Sequence, residues 1–188
     1  AGAGGHNPGG SAVGEGPGVG QRVAVPWLVE QALKDQDFYL GTGGGVTFSG
    51  GEPLAQPEFL MACAGELRGH GVHLALETSG WWHARHVPAV ASSFDLVLFD
   101  LKHTSGEAFQ RATDKPLELA LDNLLALRAA GANLELRITL VPGFNDGEED
   151  LAHMARWLRE HELEVPVTFQ PFHRLAVAKQ EKLGAGYP

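Results

Sequence analysis

The sequence predicts an α/β fold: one sheet of about five parallel strands, with helices packed outside it. Three observations carry the prediction. Short apolar runs of strand length alternate with stretches of helical period from about residue 26 onward. Each strand candidate begins apolar and ends polar. At 188 residues, with 44% hydrophobic and 20% charged residues, the chain is long enough for one domain with a sizeable core.

Residues 1 to 20 are nearly half glycine and include Pro8 and Pro17. Such a segment buries too little apolar surface to offset its ordering entropy, so it is expected to be mobile or irregular. Gly14-Glu15-Gly16-Pro17-Gly18 is no dinucleotide loop, because no strand precedes it and Pro17 interrupts it. A helix is expected over Pro26 to Tyr39, with Pro26 in its first turn. Val46 to Phe48 is a strand that opens into Ser49-Gly50-Gly51-Glu52, and Pro53 ends its pairing because it lacks an N–H.

Pro57 to His70 reads as a helix stopped near Gly69 or Gly71, and His73 to Glu77 as a strand followed by the Ser79-Gly80 turn. Trp82 to Ser92 is expected to be helical, kinked or interrupted at Pro88. Leu96 to Leu101 is a continuous apolar strand. Pro116 to Ala130 carries Leu117, Leu121, Leu124, Leu125 and Leu127 at helical period, with Gly131 as its stop. Leu134 to Val141 is a strand running into Pro142-Gly143. Glu148 to His161 is a helix whose acidic first turn suits the macrodipole. Val165 to Gln170 is the last strand.

Ligands of parallel α/β folds sit at the carboxyl ends of the strands. Here those ends are Ser49-Gly50-Gly51-Glu52, Glu77-Thr78-Ser79-Gly80, Asp100-Leu101-Lys102-His103, Arg137-Ile138-Thr139 and Gln170-Pro171-Phe172-His173-Arg174. Parallel strands bring all of them to one rim. The set offers acids (Glu52, Glu77, Asp100), cations (Lys102, Arg137) and an imidazole (His173). It suits a zwitterion: acids for an ammonium or sulfonium, bases for a carboxylate. Gly50 and Gly51 let backbone approach that ligand with no Cβ in the way.

The remaining composition narrows the function. Net charge is −9, so there is no basic stripe for a phosphate backbone, and nucleic acid is not expected as a partner. No apolar run approaches 18 residues, so no membrane span is expected. No basic stretch leads into an apolar one at the N-terminus, so no signal peptide is expected. Cys63 is the single cysteine and is expected to be a buried thiol within a helix. With no disulfide available, the expected location is cytoplasmic.

These motifs carry a resemblance. Val46-Thr47-Phe48-Ser49-Gly50-Gly51-Glu52-Pro53, Leu76-Glu77-Thr78-Ser79-Gly80, Asp95 to Lys102 and Leu140-Val141-Pro142-Gly143-Phe144-Asn145-Asp146 resemble the radical S-adenosylmethionine enzymes that activate glycyl radical enzymes, of the pyruvate formate-lyase activating enzyme type. Gln170 to Arg174 and Lys182-Leu183-Gly184 resemble that family's ending. The resemblance implies a partial (β/α) barrel over residues 25–188, preceded by residues 1–24 as the remnant of a cluster loop. It implies S-adenosylmethionine as cofactor and a glycyl radical enzyme as partner. Gly50, Gly51 and Glu52 match the motif that binds the methionyl ammonium. Thr78, Asp100, Lys102, Arg137 and His173 match positions around the cofactor, and Thr139 is a further candidate contact. Glu77 and Asp100 match the acids of a monovalent-cation site in some members. The family reaction is reductive cleavage of S-adenosylmethionine, followed by hydrogen abstraction from a partner glycine.

One part of the pattern is missing. The family holds a 4Fe–4S cluster on CxxxCxxC, and thiolates are the ligands such a cluster needs. His6-Asn7-Pro8 resembles the tripeptide after the last of those cysteines, but Gly5 and Gly2 stand where cysteines belong, and the first position would precede residue 1. The family's first strand is likewise missing, which leaves the edge of the next strand open and predicts reduced stability or self-association. The chain is therefore expected to keep the S-adenosylmethionine-binding half of the machinery and to be inactive alone. The alternatives are a catalytically inactive binding or scaffold homologue, and a Schiff-base lyase in which His103 lowers the Lys102 pKa. Trp81 and Trp82 are expected to pack in the core or at the rim, with a partner peptide as the other reading. His83 and His86 lack a third ligand for a metal.

Overall fold

A computed structural model describes residues 21–172. Five strands pair in the order in which they occur: β1 (Gly45–Phe48), β2 (His73–Thr78), β3 (Leu96–Asp100), β4 (Leu134–Leu140) and β5 (Val167–Pro171), all parallel. Parallel neighbours in sequence order require a crossover between each strand and the next, and crossovers of the usual right hand carry the intervening helices to one face. Helix α3 (Pro57–Gly69) follows β1, and α4 (Val87–Ser93) follows β2. Helices α5 (Gly106–Thr113) and α6 (Glu118–Ala129) follow β3, and α7 (Glu148–Glu160) follows β4. Ahead of the sheet lie α1 (Val25–Leu33) and α2 (Gln36–Thr42), with α1 against α3.

Side chains alternate across a strand, so each strand gives one set to the helices and the other to the opposite face. Leu74 and Leu76 of β2, Val97 and Phe99 of β3, and Leu136 and Ile138 of β4 meet Leu60, Leu67, Val90, Leu124, Leu127 and Met154 in one buried core. The other set runs Glu77, Leu98 and Glu135 across one level of the sheet, then Asp100, Arg137 and Thr168 across the next. A parallel sheet with its polar residues gathered on one face and at one end is the wall of a partial barrel.

Several boundaries differ from expectation for local reasons. The helix expected over Pro26 to Tyr39 is two helices. Asp35, at φ −102° and ψ 16°, leaves the helical region, and the Lys34 N–H turns back to the Gln31 carbonyl. Asp at such a point competes with the backbone ladder. The segment from Trp82 is not one kinked helix: a single 3₁₀ turn (Ala84–His86) leads into α4, and Pro88 sits in the first turn of α4, where a missing N–H costs nothing. Helix α5 was not visible in the periodicity. It has eight residues and buries only Phe109, and it is started by the Ser105 hydroxyl, which accepts from the Ala108 N–H. Strand β5 begins at Val167, after Pro166, whose carbonyl accepts from the Leu136 N–H. Residues 1–20, His173 and the 182–184 motif lie outside the described residues.

Candidate functional site

Beyond β1 the chain passes Gly50 at φ 135°, a conformation open to glycine alone, and delivers Glu52 to the head of a 3₁₀ turn (Pro53–Ala55). The Glu52 carboxylate caps that turn by accepting from the Leu54 N–H at 3.3 Å. It also accepts from the end of β2: the Thr78 hydroxyl at 2.9 Å, the Ser79 N–H at 3.0 Å and the Ser79 hydroxyl at 2.8 Å. Thr78 is oriented in turn, since its oxygen accepts from the Trp82 indole N–H at 2.9 Å and from the Gly80 N–H at 3.1 Å. Asn123 of α6 anchors the turn from below, donating to the Gly80 and Trp82 carbonyls at 2.9 and 2.7 Å. Glu52 is thus held at a fixed place on the rim.

The open face of the sheet carries the second half of the site. Ser49 donates to Glu77 at 2.6 Å, and Arg137 donates to the other Glu77 oxygen at 3.0 Å, reaching from β4 to β2 over β3. Lys102 pairs with Asp100. Among the described residues three side-chain atoms stay buried without a partner: Oδ1 of Asn123 beneath the β2 turn, and here Oδ1 of Asp100 and Nε of Arg137, on residues that face each other in the β3–β4 register. A buried donor and a buried acceptor left unmet side by side mark a place for a ligand that supplies both. Thr139 lies two residues beyond Arg137 on the same face, its hydroxyl 3.5 Å from the Gln170 amide oxygen. Ser49, Gly50, Gly51, Glu77, Thr78, Ser79, Asp100 and Lys102 line a cleft of about 320 Å³.

The structure therefore brings Gly50, Gly51, Glu52, Glu77, Thr78, Asp100, Lys102, Arg137 and Thr139 to one end of the sheet. His173 lies outside the described residues. Glu77 and Asp100 are each paired with a basic side chain, Arg137 and Lys102, so a monovalent cation between them would compete with two ion pairs.

Lys102 and His103 part company. His103 is fully buried, its Nδ1 accepts from the Thr104 and Ser105 N–H groups at 2.9 Å each, and its Nε2 lies 3.3 Å from Asp150. Burial holds its pKa below the ordinary value, with Asp150 opposing. The imidazole is turned toward Asp150 of α7, while Lys102 pairs with Asp100. Among the described residues His83 and His86 join no group of metal-ligating side chains: His83 caps the 3₁₀ turn, and His86 accepts from Arg85. Trp82 is buried in the core, and Trp81 is half-buried at the rim. Ser79, Asn123 and Asn145 belong to the site's framework; Ser79 and Asn145 stood inside motifs read from the sequence without a role of their own, and Asn123 was not singled out. A polar Asn123 on the leucine stripe of α6 was the available signal.

Residues 19–157 match the Radical SAM superfamily profile. The chain is 31% identical over 168 residues to the pyruvate formate-lyase-activating enzyme of Clostridium pasteurianum, covering 89% of this chain and 70% of that protein. The chain belongs to the glycyl radical enzyme activating enzyme family of radical SAM proteins. It is also 34% identical over 173 residues to the choline trimethylamine-lyase activating enzyme of Oleidesulfovibrio alaskensis, covering 90% of this chain and 56% of that protein. Among solved structures, a domain of pyruvate-formate lyase-activating enzyme from Bacteroides vulgatus matches with a TM-score of 0.63 at 31% identity, over 76% of this chain and 92% of that one. The chain spans about half the length of several curated relatives that it matches. Among the described residues no helix is long and apolar enough to cross a membrane.

Radical SAM proteins use S-adenosylmethionine and a 4Fe–4S cluster, and the two fit this chain differently. The donor set and the unmet atoms of Asp100 and Arg137 fit a zwitterionic amino acid group. The cluster does not fit the residues present. The one thiol, Cys63, is fully buried in α3 on the helical side of the sheet, where burial raises its pKa, and one thiolate does not replace three.

Proposed function

We propose that this chain is the S-adenosylmethionine-binding part of a glycyl radical enzyme activating enzyme. The observation that supports this best is the unpaired Asp100 oxygen and Arg137 nitrogen beside the Glu52 cradle. In this reading Glu52, presented by Gly50 and Gly51, accepts from the methionyl ammonium. Arg137 and Lys102 offer donors to the methionyl carboxylate, Asp100 lines the cleft with Lys102, Thr139 follows Arg137 on the same face of β4, and Thr78 and Ser79 fix the Glu52 orientation. Among the described residues nothing beyond its chain neighbours lies within 4 Å of a Cβ added at Gly51, so the space over that backbone is open to a ligand. Bound here, S-adenosylmethionine would supply the family's hydrogen-abstracting chemistry, with Glu52, Arg137 and Lys102 holding its methionyl group.

The single buried thiol favours a second, narrower statement: this chain binds the cofactor and the partner without turning over by itself. Calorimetric titration with S-adenosylmethionine tests the first reading. Glu52→Gln removes one charge-assisted hydrogen bond, about 1.5–3 kcal/mol, and is expected to weaken binding about 10–100-fold while the fold persists. Equal affinity in the two proteins overturns the assignment. Anaerobic iron–sulfide reconstitution with iron counting tests the second. A stoichiometric cluster on this chain would overturn it.

A further inference from the structure

A cluster of polar side chains lies immediately beyond Lys102, and the S-adenosylmethionine reading assigns it nothing. His103 is fully buried. Its Nδ1 accepts from the Thr104 and Ser105 N–H groups at 2.9 Å each, at the entry to α5. A ring nitrogen that accepts carries no proton, so the proton of the neutral imidazole sits on Nε2, 3.3 Å from Asp150 of α7. Beside this contact the Thr104 hydroxyl meets Nδ1 of His153, also on α7, at 2.9 Å. The Phe144 ring packs against the imidazole, with centroids 5.5 Å apart. The carbonyl of the preceding residue, Lys102, accepts from Asn145 at 2.8 Å. The Lys102 backbone is thus tied to the loop after β4 by its carbonyl and, one residue on, to α7 through the imidazole.

We infer that His103 is a positioning residue of the cofactor site: as a neutral imidazole it anchors the loop that carries Lys102, and protonation at Nδ1 releases that loop and weakens the hold on the ligand carboxylate. The inference rests on the proposed function above, in which Lys102 serves the methionyl carboxylate. Protonation sets a third N–H where two already point, so the Thr104 and Ser105 N–H groups lose their acceptor. Burial opposes the cation most, Asp150 of α7 favours it, and His153 of α7 and Arg111 of α5 oppose it. The neutral form therefore prevails above the ordinary histidine value of about 6.5, and the anchor is lost as pH falls through the lower value of the folded state. Linkage makes the effect reciprocal: a ligand that needs the anchored loop holds the imidazole neutral in turn.

S-adenosylmethionine is titrated by calorimetry into the full chain over the range in which histidine titrates, about pH 8 to 5. Wild type is compared with His103→Asn, whose amide oxygen keeps an acceptor near Nδ1 without titrating. The imidazole signal of His103, assigned through its own backbone, is followed by NMR in the wild type over the same series, with and without the ligand. Wild-type affinity is expected to fall by up to about tenfold per pH unit below the His103 pKa, more steeply than that of the variant. Titration of the ligand and of the cleft carboxylates is common to both proteins and cancels in the comparison. The His103 signal is expected to titrate at lower pH with ligand than without. Decarboxylated S-adenosylmethionine, which has no carboxylate for Lys102, is expected to give both proteins the same profile.

The inference is overturned if the two proteins lose S-adenosylmethionine affinity in parallel, or if the decarboxylated ligand separates them as widely as S-adenosylmethionine does. It is also overturned if the His103 signal titrates at the same pH with and without ligand, or stays neutral until the chain unfolds. Should the variant fail to fold, the wild-type signal decides alone. Binding of S-adenosylmethionine at the alkaline end of the series with no dependence on His103 sinks this inference and leaves the proposed function standing. No binding there sinks the proposed function.

Discussion

The Glu52 carboxylate shows how much one side chain's role depends on its neighbours. Its four donors come from a 3₁₀ turn and from the end of a different strand, so its position is set by packing far from its own segment. Gly80 is part of that support. At φ 77°, a Cβ there would meet the buried Phe99 ring at 2.4 Å and Ala120 Cα at 3.2 Å. The left-handed backbone and the overlap act together, so Gly80→Ala is expected to destabilise by about 2–4 kcal/mol. Urea unfolding measures this. A loss under about 1 kcal/mol would mean that the turn relaxes freely, and Glu52 would then not be held as described.

Among elements, the decisive contacts tie strand ends to each other. Asn145, fully buried in the loop after β4, accepts from the Val141 N–H at 2.7 Å and donates to the Lys102 and Thr139 carbonyls at 2.8 and 2.9 Å. One amide thereby fixes the ends of β3 and β4 relative to each other, and with them Lys102 and Thr139. Asn145→Ala takes the side-chain partner from three partly buried backbone groups, and each that finds no replacement costs about 1–3 kcal/mol. The expected loss is about 3 kcal/mol or more by chemical denaturation, with weaker S-adenosylmethionine binding in the fraction that stays folded. Unchanged stability would mean that water or a neighbouring group takes over all three bonds. The same logic explains why α5 escaped the periodicity: its place is set by the Ser105 cap and one buried Phe109, not by an apolar stripe.

For the whole molecule, the titration of His103 couples the loop after β3 to α7. Protonation would abolish the acceptor at Nδ1 that serves the Thr104 and Ser105 N–H groups. Burial lowers the His103 pKa, Asp150 opposes that, and His153 and Arg111 add to it. The unfolded chain therefore binds the proton more readily than the folded one. The stability linked to His103 is full above the unfolded value of about 6.5 and is lost as pH falls from there toward the lower folded pKa. The expected slope from one proton is at most about 1.4 kcal/mol per pH unit in that window. His103→Asn keeps an acceptor near Nδ1 without the titration, so its unfolding free energy is expected to fall less between pH 6.5 and 5 than that of the wild type. Parallel profiles would remove His103 as the source.

Much of this molecule was legible before any coordinate. Alternating apolar runs and helical periods predicted parallel β/α units, because hydrophobic burial is periodic and each period belongs to one geometry. The polar strand ends predicted a common rim, because parallel strands must end on the same side. The glycine pair with Glu52 and the set Thr78, Asp100, Lys102, Arg137 and Thr139 were read there, and the structure brings them to one end of the sheet. What stayed hidden depends on side-chain direction and on contacts distant in sequence. The break at Asp35, the separate partners of Lys102 and His103, the Arg137–Glu77 pair across β3, and the Asn123 and Asn145 clamps are of this kind. A hydrogen bond between residues 41 or 43 positions apart has no local signature. Periodicity reports which face a residue takes, and only the packed fold decides what it meets there.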